Sequence, residues 1–240
     1  MADLEIPELA IVVAAQKHNP TILNAEFLAY NDIVPRDWAP SEDRFTTPVL
    51  SQVDYEDQGV SISCQPDKVV FTRANGDIRN STEPDVAALA VAYVSALPHV
   101  QYTEVAIMID GHVVVEQGME EARRQVIDHY VAKGPWCDYG NGVADAMVNL
   151  AFEFEGTALR VAIFPAFFVL QEDASDEDGE ATAREIPVIR YSANFQAEIE
   201  GEGRDQRIAN LVERLGRWRE WLEVYLELVE QKLMVEILSG

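Results

Sequence analysis

The chain has 240 residues, 48% of them hydrophobic, which suffices for a real core in one large domain or two small ones. Its 42 Asp and Glu face 18 Lys and Arg, giving a net charge of −24. That charge disfavours direct binding to phosphate backbones or anionic lipid surfaces, and no apolar run approaches the roughly 18 residues of a membrane-spanning helix.

The acidity has three readings. It serves general solubility, it fits a salty cytoplasm (there are four lysines), or it meets a basic partner or mimics nucleic acid. The first residues, Met1 to Glu5, lack the positive stretch of a secretory signal. Cys64 and Cys137 lack CxxC spacing, so reduced thiols in a cytoplasmic protein are expected, and the sequon at Asn80 is a chance match.

In chain order, the apolar run Leu9–Gln16 predicts a buried strand. Thr21–Tyr30 has helical spacing, with Asn19 or Thr21 as its cap, and a proline-rich loop follows, pinned by Trp38. From Pro48 to Ala74 the period changes to two, which predicts a three-stranded antiparallel meander. Pro84 opens a helix with apolar residues from Val86 to Leu97, and Pro98 stops it. Tyr102–Ile109 alternates as a strand and Asp110-Gly111 reads as a turn. Met119–Ala132 is a predicted helix. Met147–Phe154 and Thr157–Phe164 form a hairpin through Glu155-Gly156, and Glu185–Phe195 is a further strand after the acidic loop Glu172–Glu180.

The last segment, Glu202 to about Leu238, predicts one long amphipathic helix, with apolar residues spaced by three and four from Ile208 to Leu233. A second apolar set, Trp221, Val224, Leu228 and Val235, lies off that stripe. At 1.5 Å per residue such a helix would be about 50 Å long, more than one sheet spans. The surplus set is therefore a candidate partner contact, and a homodimer through this end is one form of it.

The expected fold class is α+β. Antiparallel sheets in two similar strand–helix–strands–helix halves, 1–100 and 101–240, form one compact unit covered by helices, the long terminal helix among them. This element order is similar to the tandem halves of the TATA-binding fold. The likeness is one of order alone, since a DNA saddle needs a basic face.

The candidate chemistry is sparse. The four histidines, 18, 99, 112 and 129, show no metal-ligand spacing, and the six carboxylates of the acidic loop match only a fragment of a calcium loop. No nucleotide or hydrolase motif is present, so no catalytic residue, metal or cofactor is expected. Trp136, Cys137, Asp138 and Tyr139, between glycines, make a candidate ligand loop. The leading expectation is a non-enzymatic protein acting by protein–protein contact. The alternatives are a helix-on-sheet protein with an apolar pocket walled by phenylalanines, and an inhibitor that mimics nucleic acid.

Overall fold

In the computed structural model, which describes residues 3–42, 45–74, 76–79, 83–154, 156–172 and 182–234, nine strands build one antiparallel sheet. They are β1 Glu5–Gln16, β2 Phe45–Thr46, β3 Ser51–Tyr55, β4 Val60–Gln65, β5 Lys68–Ala74, β6 Gln101–Val114, β7 Val148–Phe154, β8 Thr157–Glu172 and β9 Thr182–Glu198. Their spatial order is β2-β3-β4-β5-β1-β6-β9-β8-β7. The long strands β1 and β6 are the seam, with Ile11 opposite Ile107. The expected antiparallel sheets are continuous across this seam as one sheet.

Five α-helices are described: α1 Ala25–Tyr30, α2 Val86–Ala96, α3 Met119–Tyr130, α4 Arg204–Gly216 and α5 Trp218–Leu228. Their buried side chains all meet the same face of the sheet. Tyr93 of α2 packs edge-on to Phe71 of β5, and Trp221 of α5 lies 5.1 Å, ring to ring, from Phe195 of β9. Alternate residues Leu9, Ile11 and Val13 of β1, and Ile107 and Ile109 of β6, point into this layer and are fully buried or nearly so. The core runs continuously from Leu4 to Met234. Local chemistry fixes the helix starts. Asn24 caps α1 by accepting from Phe27 N, and Asp85 caps α2 by accepting from Ala87 N and Ala88 N. Arg219 of α5 also reaches Asp85, 3.1 Å away, and ties the two helices together.

Four expectations are corrected. The segment from Thr21 is a 3-10 turn, Pro20–Ile22, and then α1, rather than one helix. Asp110-Gly111 is no turn but lies inside β6, where Gly111 lets the Tyr225 hydroxyl approach the backbone. The long terminal helix is broken. Gly216 is a weak helix former, Arg217 leaves the helical path at φ −89° and ψ 6°, and its N–H bonds back to Arg214 O at 3.2 Å. The chain re-enters as α5, with Trp218 and Trp221 both buried, and a wider π-helical turn, Val229–Leu233, follows. Strand β8 also outruns its expected end by crossing Pro165. It does so beyond the last β7 pair, Val148–Ile163, where that edge of β8 is free.

Candidate functional site

Among the described residues no helix packs on the opposite face of the sheet, although Ala10, Ala106, His112 and Val188 on that face are buried. Antiparallel sheets with one face in water normally alternate apolar-in and polar-out. Here the outward positions at the middle of the seam are apolar, between Glu8 and Asp110 at one end and Glu104 at the other. Ala10 stands opposite Met108, Val12 opposite Ala106, and Val70 of β5 opposite Val12. Met108 is 41% exposed. The continuous run Leu9–Ala15 is the pattern of a strand buried on both sides; on the side away from the helices Ala10 is buried and Val12 and Ala14 are half-buried.

A cleft of about 450 Å³ opens at one end of this face, lined by Glu8, Asp110, His112, Phe168, Leu170 and Arg190 together with Pro7, Ala74, Gly76 and Gly111. Strand register assembles it. Glu8 is directly opposite Asp110, and Asp110 is opposite Ser192. Asp110 is well satisfied, since Ser192 Oγ donates to it and Arg190 Nη2 lies 3.1 Å away. His112 stacks on Phe168 at 4.5 Å, and its Nε2 is 3.6 Å from Glu5 Oε2. Burial holds His112 below its ordinary value, with Glu5 pulling the other way.

Glu8 is different. Like charges directly across a ladder are destabilising, and no hydrogen bond to its carboxylate is found among the described residues. Burial and then the Asp110 charge raise its carboxyl above the usual range, with Arg190 opposing. A cationic group entering the cleft would meet a half-buried carboxylate with no hydrogen-bond partner among the described residues, in a cleft also lined by the Phe168 ring.

The residues singled out by sequence fall elsewhere. Trp221 is 8% exposed and packs on Phe195 and Phe154, while Val224 and Leu228 are half-buried against the core; Val235 lies outside the described residues. Trp136, Cys137 and Asp138 sit in a 3-10 turn, and with Tyr139 they form an exposed loop, Tyr139 being 86% exposed. The six phenylalanines do not wall one cavity. Phe195 is in the core, Phe164 and Phe168 lie on the open face, Phe152 is half-buried on edge strand β7, and Phe154 and Phe167 are exposed. The acidic loop, from 173 on, lies outside the described residues. Among the described residues no three His, Cys, Asp or Glu side chains are grouped to hold a metal, and no helix is long and apolar enough to cross a membrane. Comparison with protein-family models, curated proteins and solved structures finds no match.

One buried polar cluster escaped the sequence, because its members are 46 and 75 residues apart. His18 is 4% exposed, with Nδ1 3.4 Å from Cys64 Sγ and Nε2 3.0 Å from the Tyr93 hydroxyl. Burial lowers His18 and pushes the Cys64 thiol up to about 11, so the pair is neutral and Cys64 is not an activated thiolate. The cluster ties the turn after β1 to β4 and α2. Its pH dependence follows from linkage. A histidine held below its ordinary 6.5 binds fewer protons folded than unfolded. Its contribution to stability is whole above that value and is lost as pH falls below it. The urea midpoint should therefore fall between about pH 7.5 and 5.5, and fall less in His18→Asn. His112 contributes with the same sign, so the slope should shrink rather than vanish. Equal slopes in the two proteins would remove His18 from the account.

Proposed function

We propose that this chain is a non-enzymatic binding protein whose open sheet face receives a segment of another protein, one that presents apolar side chains beside a lysine or arginine. A single observation carries the reading. The middle of the seam, Ala10, Val12, Ala106 and Met108, is apolar toward the face that no described helix covers, with Met108 41% exposed. The partner's basic residue is argued from charge: the chain carries −24 overall, and Glu8 stands half-buried opposite Asp110 without a partner among the described residues. The finer reading of the fold belongs here too. Outward from the seam, β1 is followed by β5, β4 and β3, and β6 by β9, β8 and β7, an order that supports two related halves.

The test is a displayed library of random peptides selected on the purified full-length protein. Enriched peptides should combine apolar residues with Lys or Arg. They should bind Met108→Glu at least tenfold more weakly and lose affinity for Glu8→Gln. Failure to enrich any such class, or binders indifferent to both substitutions, would overturn the reading.

A further inference from the structure

The two edges of the sheet are unlike. One is β2, two residues long and followed by Pro48, which is how natural sheets blunt an edge. The other is β7, seven residues reading Val-Asn-Leu-Ala-Phe-Glu-Phe, with no proline, no lysine and one charge. Nothing in that sequence discourages another strand from pairing with it.

The geometry also states which backbone groups are free. Phe154 and Thr157 pair across a two-residue connection, so they are a hydrogen-bonded pair. Pairs of this type recur at every second residue. Val148, Leu150, Phe152 and Phe154 thus spend their N–H and C=O groups on β8. Asn149, Ala151 and Glu153 aim theirs outward; all three are exposed. Among the described residues, no backbone hydrogen bond from outside the strand ladder reaches them.

We propose that β7 pairs antiparallel with β7 of a second copy of this chain, about a two-fold axis at Ala151, so that two nine-stranded sheets continue as one. An isologous contact makes each residue face the one equally far across the axis. With the axis at Ala151, that residue faces its own copy, Asn149 faces Glu153, Leu150 faces Phe152, and Val148 faces Phe154. This register pairs all three outward residues with one another, each pair exchanging two hydrogen bonds. On the open face each Asn149 amide can donate to the Glu153 carboxylate opposite. On the helix face the half-buried Val148, Leu150 and Phe152 and the exposed Phe154 lose their remaining water. An axis at Glu153 would instead set two carboxylates against each other. The strand is not part of the open-face reading.

The register sets the test. In a Cys137→Ser background, which removes the exposed thiol and leaves Cys64 buried, Ala151→Cys should cross-link to a dimer under mild oxidation. A hydrogen-bonded pair holds its Cα atoms about 5.5 Å apart, within disulfide reach. Asn149→Cys and Glu153→Cys should each cross-link poorly alone and efficiently when mixed. Light scattering should show a dimer for the unaltered chain, more so at higher salt, because the two acidic copies repel through solvent. Ala151→Pro should be monomeric with an unchanged circular dichroism spectrum, since its N–H points away from β8. A monomer at all salt concentrations, cross-linking indifferent to position, or a dimer that survives Ala151→Pro would overturn the proposal. A dimer lost in Met108→Glu instead would move the second copy to the open face and overturn both readings.

Discussion

Replacing Trp221 with alanine is expected to cost about 3–5 kcal/mol of folding stability and to leave the oligomeric state of the folded protein unchanged. The indole closes the layer between α5 and the sheet. Its ring centre is 5.1 Å from Phe195 and 6.0 Å from Phe154, and the Arg217 guanidinium covers it at 5.0 Å. Truncation removes those contacts together and leaves a hole under a helix that cannot follow, because Arg219 and the neighbouring Trp218 hold α5 in place. Urea unfolding followed by light scattering on the refolded sample reads both quantities. A variant of full stability whose mass differs from that of the parent would return Trp221 to the role of a partner contact.

That expectation reverses the role the sequence suggested for Trp221, and the reason is geometric. The predicted stripe stays the buried side through the break, since Leu215, Trp218, Leu222, Tyr225 and Val229 are all buried. Trp221, three residues after Trp218 and four before Tyr225, borders that stripe and joins the same buried face. The period-two runs of β3 to β5 and the hairpin of β7 and β8 were legible, since alternation and turn residues are local signals. Gly111 misled for the opposite reason. A glycine after an aspartate is a turn signal locally, and what places it inside β6 is a side chain from 114 residues further on, Tyr225. The cleft was invisible in the same way. Glu8, Asp110 and Arg190 belong to three different strands, and only the registers of β1 with β6 and of β6 with β9 bring them together. The buried strand at Leu9–Gln16 was legible as an apolar run: Leu9, Ala10, Ile11, Val13 and Ala15 are buried, and Val12 and Ala14 are half-buried. The free edge of β7 depends on strand order, which periodicity does not carry.

Gly111→Ala should be the most damaging single methyl that can be added to the sheet, at about 2–3 kcal/mol. A Cβ there would overlap the Tyr225 hydroxyl and press on Leu4 Cδ1 at 3.1 Å and Glu5 O at 3.3 Å. The tyrosine cannot swing aside, because it is completely buried and its hydroxyl donates to Tyr191 O at 2.8 Å. Tyr191 is in turn hydrogen-bonded, through its own hydroxyl, to Tyr130 at 3.2 Å, so the strain would pass from β6 through α5 and β9 to α3. Tyr225→Phe alone should cost about 1 kcal/mol, the worth of one buried hydrogen bond. Removing the hydroxyl also removes the obstacle, so adding Gly111→Ala to Tyr225→Phe should cost less than about 1 kcal/mol further. The double-mutant cycle, measured by urea denaturation, thus carries a coupling of at least about 1–2 kcal/mol, with the double variant more stable than the sum of the single losses. If Gly111→Ala costs the same in both backgrounds, the glycine is required by the neighbouring Glu5 carbonyl and Leu4 rather than by the tyrosine. Smaller coupling with a large single loss would say that β1, which also borders Gly111, sets the limit on side-chain size at this point of the seam.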